Sequence, residues 1–152
     1  MATAAADARH VGVMPSHPDL TGFQPFGGNG GYHAYVGQIY FDPAKPPGAP
    51  RRFGFLPEAK HLNGGGAIHG GLLMSLADTV LGFTAQDGTA AKAAATVTLN
   101  TDFLAAGKPG EIVWGTAHVT RATRSLIFIS GELTQGERTL MTATGIWKVL
   151  GA

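Results

Sequence analysis

Cysteine is absent from the 152 residues, which excludes disulfides, thiolate metal sites and a cysteine nucleophile. Charge is scarce: Asp, Glu, Lys and Arg make up 14% of the chain and the formal net charge is +1. Such a balance gives no general attraction to nucleic acid, and basic residues are not interleaved with aromatics as a single-strand-binding surface requires. So little charge suits a chain whose surface is partly covered by other subunits. No apolar run is long enough to span a bilayer, and the opening MATAAADARH lacks the apolar core of a secretory leader. A soluble cytoplasmic protein is expected. Missing too are a G-x-G-x-x-G after a strand, a P-loop, G-x-S-x-G and H-E-x-x-H, so nucleotide binding, a Ser-His-Asp hydrolase and a zinc protease have no support. His10, His17, His33, His61 and His118 show no metal-ligand spacing.

What is present points to one domain. Hydrophobic residues make up 44% of the chain, and the length suffices for a single core but not for two ordinary ones. Its centre is the stretch from His61 to Gly88, HLNGGGAIHGGLLMSLADTVLGFTAQDG. This is a glycine-rich loop followed by a helix beginning near His69 or Gly70 and ending near Gly88, a suitable C-terminal cap. At 100° per residue Leu72, Leu73, Leu76, Val80 and Phe83 form one apolar arc, as in a helix packed on a sheet. The other face holds Gly71, Met74, Ser75, Asp78, Gly82 and Ala85, small residues for the most part around one carboxylate. Small side chains let a backbone or a ligand come close.

Spacing constrains the chemistry. The triple glycine Gly64–Gly66 and the pair Gly70-Gly71 leave backbone N–H groups free at the helix N-terminus, a setting for an oxyanion. Asp78 follows Gly70 by eight residues, about 12 Å along the axis. A carboxylate that far away cannot act on a carbonyl bound at its own helix end, which requires about 3 Å. Either Asp78 has another purpose, such as a structural bond to a neighbouring element, or one subunit's helix end meets the Asp78 of another. The second alternative makes oligomerisation part of the mechanism.

Along the chain, residues 1–31 are rich in Ala, Pro and Gly and are expected to form a flexible arm, with Phe23 and Phe26 as candidate lids. A single domain is expected over 32–152. Its first strand is placed at His33–Asp42, a second extended piece at RRFGFLPEAK, and four more strands at Ala93–Leu104, Glu111–Arg121, Ser125–Thr134 and Thr139–Leu150. Short connections such as Ala122-Thr123-Arg124 and Gln135-Gly136-Glu137-Arg138 imply antiparallel neighbours. The pattern predicts an α+β fold, an antiparallel sheet wrapped around one long helix. Trp114 and Trp147 are expected to pack in the sheet.

Asn63, His69-Gly70-Gly71 and Asp78, followed by TVTLNTDFL and TRSLIFISGEL, resemble the hotdog-fold acyl-CoA thioesterases of the phenylacetate-pathway (PaaI-like) type, within the 4-hydroxybenzoyl-CoA thioesterase superfamily. The resemblance covers roughly residues 30–149 and implies thioester hydrolysis of an aryl- or medium-chain acyl-CoA. It assigns Asp78 the part of nucleophile or of general base for water, without choosing between them. Asn63 becomes an amide that positions the water or polarises the carbonyl, where the residues alone also allow a turn asparagine. His69 either shapes the loop or contacts the thioester. Gly70 and Gly71 supply the oxyanion site. Thr96 matches a position that holds the water for the acid, and is otherwise a β-branched strand residue. Arg121 and Arg124, flanking a tight turn, are the candidate contacts for the coenzyme A phosphates.

No cofactor is implied, since coenzyme A enters as part of the substrate. The implied partners are an acyl-CoA and further copies of the chain, as a dimer or a dimer of dimers, with no metal, nucleic acid or membrane. Two rivals stay open. A hotdog hydratase or dehydratase needs a histidine and an acid in another arrangement, and a non-catalytic acyl-CoA binding module needs neither Asp78 nor Asn63.

Overall fold

A computed structural model describes residues 17–27, 31–87 and 93–151. The long helix α2 (Gly70–Asp87) is the axis of the molecule. Around it curls one antiparallel sheet of seven strands: β1 (Gln24–Phe26), β2 (Ile39–Phe41), β3 (Phe53–Phe55), β4 (Ala94–Phe103), β5 (Val113–Ala122), β6 (Leu126–Gln135) and β7 (Arg138–Val149). The strand order is β1-β2-β3-β5-β6-β7-β4. This is the expected hotdog arrangement, a helix held in a half-wrapped sheet. No helix among the described residues is long and apolar enough to cross a membrane.

The helix sits where its apolar arc is satisfied. Leu72, Leu73, Leu76, Val80 and Leu81 are buried in one cluster with Val113, Ile127, Ile129, Leu133 and Trp147 from the sheet. The sheet makes room for it at two glycines. A Cβ on Gly115 would lie 2.8 Å from Val80, and one on Gly131 2.8 Å from Leu81, so the backbone approaches as closely as only glycine permits. Ala85, assigned to the open face, is fully buried, because the wrapped sheet covers more of the helix than a one-sided layer does. The cap expected at Gly88 lies outside the described residues.

The strands after the helix agree with the expected ones to within one or two residues. The N-terminal third departs from expectation. Tyr32–Val36 forms a short helix α1 rather than the start of a strand, and only Ile39–Phe41 of that segment joins the sheet. Glycines with positive φ bracket it, Gly31 at 68° and Gly37 at 118°. Tertiary contact holds it: the Tyr32 hydroxyl lies 2.6 Å from Ser75 Oγ on α2. Five residues carry too little periodicity to distinguish these outcomes.

Within 1–31, Pro18–Leu20 forms a 3-10 turn and β1 pairs with β2, Pro25 opposite Tyr40. Leu20 and Phe23 are buried with Tyr40 and Ile112 in a second small cluster. Residues 1–16 and 28–30 lie outside the described residues, and His10 with them.

Candidate active site

Two elements far apart in sequence meet at Asp78. The acid projects from the middle of α2, half-buried, and Thr96 on β4 donates its hydroxyl to Asp78 Oδ1 over 2.7 Å. The bond leaves Oδ2 uncommitted. β4 pairs only with β7, with Thr96 opposite Trp147, so the Trp147 indole is the cross-strand neighbour of the Asp78–Thr96 pair.

The pair opens into a cleft of about 690 Å³. Along α2 the lining follows one stripe, Asp78, Gly82 and Gln86, spaced by four residues and thus about 6 Å apart each. Aromatic rings from other elements wall it. Phe26 meets Phe83 edge to face, with centroids 5.0 Å apart at 89°, and Phe41 lies 5.9 Å from Phe83. Arg51 spans the far end over both Phe41 and Phe83. Its charge is met there: it pairs with Asp87 at 3.1 Å and donates to the Asp42 carbonyl at 2.7 Å. The cleft therefore combines an aromatic wall of Phe26, Phe41 and Phe83 with polar groups from Thr79, Gln86 and Arg51, and at its head stands a carboxylate oxygen without a hydrogen-bond partner among the described residues.

The loop before α2 builds a different site. Asn63 Oδ1 accepts from the N–H groups of Gly65 (2.9 Å) and Ala67 (3.2 Å), and the Asn63 N–H bonds the Ala67 carbonyl at 2.8 Å. Two donors on one atom identify it as the amide oxygen. The Asn63 NH₂ is then left as an exposed donor. His69 Nδ1 accepts the Gly71 N–H at 2.9 Å, and the His69 carbonyl accepts from Leu72 and Leu73, so His69 caps the helix. Upstream, buried His61 bonds the Glu58 N–H through Nδ1 and the Val36 carbonyl through Nε2, which fixes the loop against α1.

These bonds sort the expected oxyanion donors. The Gly71 N–H is already engaged by the His69 ring. The Gly70 N–H has no hydrogen-bond partner among the described residues. A Cβ on Gly70 would sit 3.0 Å from the Phe103 ring, so only glycine leaves this approach open. Asn63 and Gly70 line a separate concavity of about 380 Å³ with Phe103, Leu104 and Ala105. It shares no residue with the Asp78 cleft.

Of the expected residues, the chain thus brings Asp78 to Thr96, and Asn63 to Gly70, His69 and Gly71, but does not bring the two groups together. Arg121 and Arg124 sit exposed at the β5–β6 turn. Ala122, Ile127, Trp147 and Thr96 form one row across four strands, which puts that turn three strands from Thr96, roughly 14 Å at about 4.8 Å per strand. The cleft residues Arg51, Phe41, Gln86 and Trp147 have no local signature, although the Asp78-Gly82-Gln86 stripe is visible as a spacing of four. Of the two lid candidates Phe26 lines the cleft, whereas Phe23 packs against Trp114. No group of three or more His, Asp or Glu side chains placed to hold a metal ion occurs among the described residues.

Comparison with known proteins bears on this arrangement. The sequence model of the Thioesterase superfamily matches residues 65–142, which contain both Gly70 and Asp78. A candidate esterase of Pseudomonas aeruginosa, PA0474, is 34% identical over 91 residues, covering 59% of this chain and 68% of that protein. The PaaI protein from the phenylacetic acid degradation operon of E. coli superposes with a TM-score of 0.61 at 27% identity, over 68% of this chain and 74% of that one. A hypothetical thioesterase of Streptococcus pneumoniae, solved with coenzyme A, shares the fold with a TM-score of 0.66 at 20% identity, over 74% and 89% of the two chains.

Proposed function

Since this chain belongs to the thioesterase superfamily, we propose that it hydrolyses acyl-CoA thioesters at a site shared between two subunits. The observation that carries this is the separation of the two half-sites: an acid held by Thr96 at the head of a cleft walled by aromatic rings, and free donors at Gly70 and Asn63 in a second concavity. Neither half suffices for acyl transfer, and eight residues of helix, about 12 Å, keep them apart. Facing copies related by a twofold axis place each half against the complementary one.

Strand β4 supports such a pairing. It is the sheet edge, ten residues long and exposed along nearly its whole length, with Val97 at 56% and Phe103 at 53%. A long unpaired edge with apolar side chains calls for a partner.

In the shared site the thioester carbonyl accepts from the Gly70 N–H of one subunit and the Asn63 amide beside it, donors that strengthen as negative charge develops on the oxygen. Asp78 of the facing subunit supplies the attack. Thr96 bonds one carboxylate oxygen, and the other either adds to the carbonyl carbon or takes a proton from the water that adds. In the water course the C–S bond breaks, the proton passes from Asp78 to the departing thiolate and the acid is released. In the covalent course the C–S bond breaks to leave the acyl–Asp78 anhydride and the coenzyme A thiolate. A water then cleaves the anhydride, releasing the acid, regenerating the Asp78 carboxylate and giving its other proton to the thiolate. A thiolate leaves readily and needs little acid assistance. Arg121 and Arg124 are the proposed contacts for the coenzyme A phosphates, and the aromatic walls suit an aryl or medium-chain acyl group.

The test is release of free thiol from a panel of aryl- and alkyl-CoA thioesters by the wild type and by Asp78→Asn. Turnover by the wild type and its loss in the variant supports the assignment. Equal turnover by both removes Asp78 from the mechanism, and no turnover of any thioester by the wild type removes the activity.

A further inference from the structure

Trp147 is buried, yet its indole N–H has no hydrogen-bond partner among the described residues. It is uncovered by an absence. Gly82 lies over the indole edge, and a Cβ there would stand 3.1 Å from Nε1. Both residues line the Asp78 cleft. The ring cannot withdraw, because its other end is held at Gly145, where a Cβ would lie 2.5 Å from Cζ3. A fixed donor therefore faces the cleft one helical turn from Asp78. The residue as a whole is buried, but its nitrogen is reachable from the cleft, where it bonds water until a ligand's acceptor replaces it.

The charged donor at the far end of the cleft is committed, and the Thr79 and Thr96 hydroxyls are given to the Ser75 carbonyl and to Asp78, while the Gln86 amide at the rim is exposed. Arg51 gives Nε and Nη2 to Asp87 and Nη1 to the Asp42 carbonyl. A second ring nitrogen in the same lining, Nδ1 of His33, is buried without a hydrogen-bond partner among the described residues. Polar nitrogens without protein partners, set among phenylalanine rings, match an apolar ligand that carries an oxygen.

We propose that Trp147 is a specificity-determining residue, whose indole N–H, exposed by Gly82, selects acyl groups bearing an acceptor oxygen (hydroxyl, ether or carbonyl) one helical turn beyond the thioester. Gly82 follows Asp78 by four residues, so that oxygen lies about 6 Å past the reacting carbon. A site built to bond an oxygen discriminates against the analogue lacking it, because binding the analogue leaves the donor unpaired. The proposal rests on the thioesterase function above for the identity of the acyl group.

The experiment compares hexanoyl-CoA with 5-oxohexanoyl-CoA in the wild type, Trp147→Phe and Gly82→Ala. Trp147→Phe removes the donor and keeps a ring; Gly82→Ala keeps the donor and covers it. The expected result is a kcat/KM ratio favouring the oxo-substrate by about tenfold or more in the wild type, falling toward one in both variants whatever their absolute rates. A wild-type ratio near one, or a ratio kept in both variants while rates fall, overturns the proposal. If the wild type hydrolyses neither thioester, the thioesterase function fails separately. The same comparison is then read from calorimetric Kd values of non-hydrolysable methylene analogues: a preference lost in the variants sustains the role of Trp147, and no preference ends it.

Discussion

Thr96, on the free edge strand, donates its hydroxyl to Asp78 in the middle of the central helix, 2.7 Å away. The bond holds one carboxylate oxygen and, in the proposed mechanism, orients the other for attack. Thr96→Ala removes it without touching the helix. We expect kcat to fall about tenfold, the worth of one charge-assisted hydrogen bond, with KM nearly unchanged. Thr96→Ser restores most of the rate. Steady-state thiol release checks both, and a Thr96→Ala enzyme at full kcat would falsify the orienting role.

Asn63 has two separable duties, because its oxygen holds the loop and its NH₂ faces outward. Asn63→Asp keeps the acceptor for Gly65 and Ala67 and removes the donor. Thermal unfolding should stay within a few degrees of wild type while kcat falls by about 10²-fold, the cost of one oxyanion donor. Asn63→Ala loses both and should lower Tm as well. If the two variants behave alike in both measurements, the duties are not separate.

A shared site predicts complementation. Asp78→Ala homodimers should be inactive and Asn63→Asp homodimers should keep about a hundredth of the rate, yet a mixed dimer would hold one site with both groups intact. Unfolding and refolding the two together at equal concentration should recover about a quarter of wild-type activity, since half of the dimers are mixed and each has one working site of two. No recovery, with mixed dimers verified by mass spectrometry, places both half-sites in one subunit.

The β4 edge is the proposed seam. Val97, exposed in the single chain, becomes buried in the dimer, and Val97→Lys puts an unpaired charge there. Sedimentation velocity should show monomers, and activity should fall with assembly rather than with folding. Dimers that persist at full stability move the seam elsewhere.

The helix provides a calibration for these losses. Leu81 lies on its buried side in the main core, and Leu81→Ala should destabilise the protein by about 2–5 kcal/mol, measured by urea unfolding. Its activity per folded molecule should stay close to wild type. A rate lost in proportion to Asp78→Asn would mean that core packing, not site chemistry, controls turnover.

Much of the fold was legible because it is written in local periodicity. The arc Leu72-Leu73-Leu76-Val80 marks a helix against a sheet, and the alternating runs after it mark four antiparallel strands joined by tight turns. The Gly70-to-Asp78 spacing alone put the helix start and the acid about 12 Å apart, and the two line separate concavities. Tyr32–Val36 was not legible, since five residues fit a strand or a helix and the Tyr32–Ser75 contact decides. Nor were the N-terminal strand Gln24–Phe26 and the burial of Ala85, which depend on how far the sheet wraps.

The site divides along the same line. Residue types and spacing determined that an acid sits on a small-residue face and that backbone donors stand at the helix start. Tertiary structure alone decided that Thr96 reaches Asp78, that His69 engages the Gly71 N–H and leaves the Gly70 N–H free, and that Phe26, Phe41, Arg51 and Trp147 enclose the cleft. Periodicity encodes which way a side chain points within its own element. Which side chains meet depends on strand order and sheet curvature, and these follow from the packing of the whole chain.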